Sequence, residues 1–237
     1  KEEQAKMYDQ GHRNVILEKL PYLVKQGRIM SSKYDVVCTN PPYMEKRDFN
    51  KKLSTFLHNN YDISKNEMYG TFILKNLRDY TKKNGFVSMI TIHTWMFISS
   101  FEKLRKLLLN SSTFISMLHL GAGTFEELSS FNVLSTSFVI KNKMLPNYIG
   151  MYVKLDDYTK PIDKIENYKN VKHYYNAKQN EFNSVIGSPI VYWMSDKERE
   201  IFRSNKKISD YTEIKQGMAT SDNKRFLRYW TKVNITK

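Results

Sequence analysis

The chain has 237 residues and a formal net charge of +14, from 38 Lys and Arg against 24 Asp and Glu. That length supports a sizeable core in one large domain, or in one domain and part of another, and the charge favours a polyanionic partner, nucleic acid ahead of an acidic membrane surface. Cys38 is the only cysteine, which excludes an internal disulfide; no Cys/His cluster has zinc-ligand spacing and no apolar stretch nears the roughly 20 residues of a membrane span, so a cytoplasmic protein without a structural metal is expected.

A charged, helix-forming start leads into the first strand, Tyr34 to Thr39, whose continuous Val36-Val37-Cys38 predicts burial on both faces, as in a parallel sheet, with Cys38 a small buried apolar group. Ser64 and Glu67 have capping-box spacing before Met68, Phe72, Ile73, Leu77 and Tyr80, which recur at helical intervals until Lys82-Lys83-Asn84-Gly85 closes the element. Phe86 to Ile92 reads as a second buried strand, and Ser99 with Glu102 caps a helix carrying Leu104, Leu107 and Leu108. Two β-rich runs, Phe114 to Leu120 and Ser135 to Ile140, follow without a helix-length segment between them and are expected to pair antiparallel at an edge. Beyond Pro146 the texture turns to Tyr, Lys and Asn, and a third capping-box pair, Ser195 and Glu198, opens a helix towards Phe202. The order predicts the C-terminal half of an open, Rossmann-like α/β sheet, mostly parallel with an antiparallel edge.

The first strand stops at Asn40-Pro41-Pro42-Tyr43. Pro has no N–H to donate, so the ladder cannot continue, and the turn is stiff. Four such residues in a row arise by chance on the order of once in several hundred chains of this length, and in an open α/β sheet ligands bind outside the carboxyl ends of the strands, where this turn falls. The turn offers two acceptors, the Asn40 side-chain oxygen and the Pro41 carbonyl, and an aromatic ring, Tyr43.

On these residues the chain resembles the amino-group DNA methyltransferases that use S-adenosylmethionine. The stretches NPPYMEKRDFNKKLSTFL, GFVSMITIHTWMFISSFEKLRKLLL, MLHLGAGTFEEL and EIKQGMATSDNKRFLRYW together resemble the large adenine methyltransferases of BREX-type phage defence and fused restriction–modification enzymes. The resemblance implies a class I methyltransferase fold, methyl transfer to adenine N6 in double-stranded DNA, and a target base flipped out of the helix. It implies catalytic roles for Asn40, Pro41, Pro42 and Tyr43, and base stacking by Tyr43 and by Phe131, with Phe125 as a competitor and core packing open for both phenylalanines. DNA contacts are expected from Lys51 and Lys52, near the motif, and from Lys215, Lys224, Arg225 and Arg228. Residues 215–237 carry six Lys or Arg against one Asp, interleaved with Phe226, Tyr229 and Trp230, a composition suited to phosphate contact and stacking.

The expected layout is a partial catalytic domain over residues 1–145, a connecting or extension region over 146–205 and the start of a target-recognition domain over 206–237. The S-adenosylmethionine loop should precede the motif, yet Gly11 and Gly27 stand alone there, so the cofactor site is expected largely outside this chain. Gly121-Ala122-Gly123 is either a tight turn or a permuted cofactor loop. His93, Trp95 and His119 are read as substrate contacts or as packed, hydrogen-bonded residues. Amino methylation of RNA or of protein glutamine, and a DNA-binding module inactive by itself, stand as the other functional readings.

Overall fold

A computed structural model of the chain describes residues 2–125, 133–204, 206, 208–213, 215, 217, 222–227, 229 and 231. Helix α1 (Glu2–Ser31) leads to β1 (Tyr34–Thr39), α2 (Lys51–Asn60), α3 (Met68–Lys75), β2 (Thr81–Ile92) and α4 (Glu102–Ser111). Strands β3 (Thr113–Gly121), β4 (Ser135–Lys141) and β5 (Ile149–Lys154) follow, then α5 (Pro161–Tyr168), β6 (Tyr174–Lys178) and α6 (Asp196–Ser204). One six-stranded sheet has the order β1-β2-β4-β3-β5-β6. The β1/β2 and β3/β5 pairs are parallel, whereas β4 and β6 run against their neighbours. Four strands therefore point one way, and β6 is an antiparallel edge.

The expected β3–β4 antiparallel pair forms, with Met117 opposite Phe138, but it lies inside the sheet because β5 and β6 extend it. Residues 149–154 and 174–178, from the expected extension region, thus continue the same sheet. The first compact unit runs to Phe202 and a second starts at Arg203. The second contains, among its described residues, a turn at Ile208–Asp210 and a short helix, α7 (Asn223–Phe226), whose first turn is capped by the Asp222 carboxylate accepting from the Arg225 N–H at 3.1 Å.

The core of the first unit gathers where helices α3 and α4 lie on β2, β3 and β4: Ile73, Trp95, Phe101, Leu104, Met117 and Phe138 are all within 1 % of complete burial. Strand β2 has the alternation of a half-covered strand, each second side chain entering this core. Gly85 admits β1 beside it, since a Cβ there would stand 2.7 Å from the Asp35 carbonyl. At the foot of α3 a π-helical turn, Asn76–Tyr80, joins helix to strand. The Asn142 amide donates to the carbonyls of Leu77, Thr81 and Lys82 there, satisfying acceptors that a helix end leaves open.

Strand β1 departs from expectation. Val36 is 60 % exposed and Cys38 is exposed, because β1 is the sheet's other edge and no described helix covers its face. The described side chains of α1 from His12 to Ser31 are likewise exposed. Two of the three capping boxes are also absent. Glu67 is held in an antiparallel bridge to Glu45, so α3 starts only at Met68 and Ser64 instead donates to the Tyr61 carbonyl. Residues Ser99–Phe101 form a 3-10 turn, and the Glu102 carboxylate pairs with Lys106 at 2.6 Å rather than reaching back. The third box forms: the Ser195 N–H and hydroxyl both donate to Glu198 Oε2 at 2.7 Å, and the Glu198 N–H donates to Ser195 Oγ at 3.3 Å.

Candidate active site

The Asn40–Tyr43 turn leaves the carboxyl end of β1, where Thr39 pairs in parallel with Met89 of β2. Within it Pro41 is buried, Asn40 and Pro42 are exposed, and Tyr43 is half-buried. Among the described residues neither the Asn40 side-chain amide nor the Pro41 carbonyl has a hydrogen-bond partner; Asn40 is exposed on the rim where parallel strands end, whereas Pro41 is buried. Tyr43 packs against the core and buries its hydroxyl without a partner among the described residues, and burial pushes that phenol's pKa up.

Three contacts fix the turn. The Met68 N–H donates to the Met44 carbonyl and the Lys46 N–H to the Asn66 carbonyl, each at 2.9 Å, stitching the segment after Tyr43 to the start of α3. The Tyr43 ring meets Tyr69 edge-on, at 6.5 Å between centroids and 87° between planes. Tyr69 is 1 % exposed, lies 5.6 Å from the Phe101 ring, and its hydroxyl is 2.7 Å from Thr94 Oγ1, just past β2. Gly70 makes room for this stack, since a Cβ there would stand 2.5 Å from the Phe101 ring. The bridge also places two carboxylates together: burial, then repulsion by Glu45, raises the Glu67 pKa to about 7, while Glu45 pairs with Arg47 at 2.9 Å. Sequence reasoning missed Tyr69, Thr94 and Glu67 as supports, because each acts across the gap between elements, where spacing along the chain carries no signal.

Further along the rim, Trp95 is a core residue, fully buried, donating its indole N–H to Thr91 Oγ1 at 3.0 Å and stacked on Phe114. His93 and His119 are bonded to each other, Nδ1 to Nε2, at 2.6 Å. The Gly121–Gly123 turn is a close-packing device. Both glycines have positive φ, and a Cβ on Gly123 would stand 1.7 Å from the Thr159 carbonyl and one on Gly121 2.7 Å from Asp156. The backbone of residues 156–159 fills the space against these two glycines that the ribose or methionine moiety of S-adenosylmethionine would need, so this turn does not fit that cofactor. The Lys164 ammonium pins the same region by donating to the carbonyls of Leu120, Leu155 and Tyr158.

Of the expected DNA contacts, Lys51 and Lys52 stand exposed in the first turn of α2, whose Asn50 cap accepts from the Leu53 N–H at 2.9 Å. Neither lysine forms an ion pair among the described residues. Lys215 pairs with Glu213 at 3.1 Å, and Lys224 and Arg225 lie on α7 in the second unit. Phe125 is half-buried at the end of the Gly turn. Phe131 and Arg228 lie outside the described residues. Among the described residues no group of three or more His, Cys, Asp or Glu is placed to hold a metal ion, and no helix is long and apolar enough to cross a membrane.

An open α/β sheet that presents an Asn-Pro-Pro-Tyr turn at the carboxyl end of a parallel strand has the form of a methyltransferase domain. The chain belongs to the Eco57I restriction-modification methylase family, whose model matches residues 3–125. It is similar to the adenine-specific methyltransferase PglX of Lacticaseibacillus casei (strain Zhang), with 36% identity over 222 residues, covering 91% of this chain and 18% of that protein. It is also similar to the adenine-specific methyltransferase BrxX of Escherichia coli O9:H4 (strain HS), with 33% identity over 219 residues, 92% of this chain and 18% of the relative. The chain thus spans under a fifth of the length of these relatives. Its fold is shared with a solved type I restriction–modification system, at a TM-score of 0.52 and 12% identity, over 78% of this chain and 42% of the other.

Proposed function

We propose that this chain carries the target-base site of a methyltransferase that modifies N6 of adenine in double-stranded DNA, in the cytoplasm, as part of a larger restriction–modification or phage-defence protein. The observation that carries this reading is the pair of unpartnered acceptors, Asn40 and the Pro41 carbonyl, on a turn fixed before any substrate arrives. The adenine amino nitrogen is a poor nucleophile because its lone pair is delocalised into the ring. Asn40 Oδ1 and the Pro41 carbonyl each accept one amino hydrogen, which draws the nitrogen towards tetrahedral geometry and directs its lone pair away from the turn. The prolines and the bridge to α3 hold these acceptors in place, so little reorganisation is needed when the base docks. Tyr43 stacks on the extruded base and, with Phe131 as the opposite wall, offsets the few kcal/mol lost on unstacking it. S-adenosylmethionine supplies the methyl group, from a site we place largely outside this chain; the free edge of β1 and its exposed Val36 and Cys38 support further protein lying against the turn's own strand.

Lys51 and Lys52 contact phosphates beside the flipped base. Residues 206–237 begin a target-recognition segment in which Lys215, Lys224, Arg225 and Arg228 contact the duplex, supported by the basic and aromatic composition of that stretch. The test is Asn40→Ala in the full-length protein, with duplex DNA, RNA and a glutamine peptide as separate substrates. Adenine methylation of DNA is expected to vanish while DNA affinity stays within a few-fold. Unchanged methylation in the variant, or activity on the other substrates alone, overturns the reading.

A further inference from the structure

The polar groups that the turn does not use fall on one line along the carboxyl rim. His93 is the first residue past β2 and His119 lies near the end of β3. Their rings meet Nδ1 to Nε2 at 2.6 Å, and His119 Nδ1 is 3.2 Å from the Tyr192 hydroxyl. Each group can donate or accept, so the direction of the chain follows from accounting for the protons. If His119 donated from Nδ1, the Tyr192 oxygen would accept, and the hydroxyl's own proton would be buried without an acceptor: Tyr192 is 2 % exposed, and its hydroxyl has no second hydrogen-bond partner among the described residues. An orphaned buried donor is costly. The Asp156 carboxylate stands 3.7 Å from His119 Nδ1, outside hydrogen-bonding reach, and lies 3.0 Å from the Lys154 ammonium.

The opposite direction leaves no N–H or O–H of His119 or Tyr192 unpaired, and the one donor without a partner falls on His93, which is only half-buried. The Tyr192 O–H donates to His119 Nδ1, His119 Nε2–H donates to His93 Nδ1, and His93 carries its remaining N–H on Nε2. Burial keeps the three groups neutral near pH 7, lowering both imidazoles, His119 to about 4, and raising the phenol. His93 Nε2–H meets no acceptor among the described residues. Its ring is held edge-on to Phe97 at 5.5 Å, and its backbone N–H donates to the Leu134 carbonyl at 2.7 Å. The next residue, Thr94, bonds the Tyr69 hydroxyl beneath Tyr43. A donor with a locked direction therefore stands on the rim that presents Asn40.

We infer that His93 donates from Nε2 to N1 of the extruded base, the ring nitrogen bonded to the carbon that carries the amino group, and so helps select adenine. The ring nitrogens of adenine outside the glycosidic bond all accept, whereas guanine presents an N–H at position 1 and would oppose donor to donor there. This inference rests on the adenine reading of the turn, and it adds a residue that the motif does not contain.

Two measurements test it. In this chain, labelled-imidazole nitrogen spectra should show neutral His93 protonated on Nε2; protonation on Nδ1 would overturn the donor direction. In the full-length protein, duplexes carry adenine, 1-deazaadenine or 7-deazaadenine, each mismatched, at the position its genomic methylation pattern identifies. Equilibrium binding is measured without cofactor. The 1-deazaadenine duplex should bind about tenfold more weakly than those with adenine or 7-deazaadenine, His93→Leu should bind all three alike, and His93→Gln, which keeps an N–H, should recover part of the difference. Equal binding of the three by the unaltered protein, or a difference that survives in His93→Leu, would overturn the inference. Adenine methylation persisting in that case leaves the proposed function standing, whereas a full-length protein that methylates no duplex fails on that function first.

Discussion

Removing one hydroxyl beneath the catalytic turn should measure how firmly the turn is held. In Tyr69→Phe the ring stays between Tyr43 and Phe101, and only the 2.7 Å bond to Thr94 Oγ1 is lost. A neutral hydrogen bond contributes about 0.5–1.5 kcal/mol net. Thr94 is half-buried, so water can partly replace the lost partner, and we expect a cost near 1 kcal/mol. Thr94→Val removes the same bond from the other side. The double variant should therefore be no less stable than the worse single one, a coupling of about 1 kcal/mol in a double-mutant cycle. Urea denaturation followed by tyrosine and tryptophan fluorescence reads all four proteins, and an unchanged m-value would show that only stability moved. Coupling below about 0.3 kcal/mol, the usual error of additivity, would refute the claim that this bond ties the turn's support to the end of β2. Tyr69→Leu, which also loses the ring contacts, should cost about 2 kcal/mol more.

Three further outcomes follow from the same structure. Gly123→Ala should destabilise the first unit by several kcal/mol or prevent its folding, because the new Cβ meets the Thr159 carbonyl and φ is +67°; a thermal midpoint within a degree or two of the parent would contradict the close-packing role. The Glu67 carboxyl binds its proton more tightly folded than unfolded, so its contribution is full at acid pH and is lost as pH rises from the ordinary glutamate range through about 7. Glu67→Gln should accordingly gain stability over the parent at pH 8 and little at pH 5, as melting curves at the two values would show. Finally, fluorescence anisotropy of duplex binding should show a steep salt dependence, and Lys51→Ala with Lys52→Ala should flatten the logarithmic slope by up to about 1.8; an unaltered slope would remove these lysines from the interface.

Local chemistry made the turn readable from sequence. Two prolines end a strand wherever it lies, and an amide before them with an aromatic after is a property of consecutive residues. The strand and helix order was readable for the same reason, as alternation and helical spacing are short-range signals. Sheet position was not. Val36-Val37-Cys38 has the composition of a doubly covered strand, yet cover comes from other elements, and β1 proved to be an edge. Ser64 and Glu67 have the spacing of a capping box, but Glu67 was claimed by Glu45 from across the fold. Gly121 and Gly123 have the spacing of a cofactor loop, and only the approach of residues 156–159 distinguished packing from binding. The sequence by itself thus determined what the catalytic turn is made of. The tertiary structure decided what holds it and what stands beside it, because the Tyr69–Thr94 bond and the Tyr192–His119–His93 line join residues 25, 73 and 26 positions apart, and folding alone sets which way their protons face.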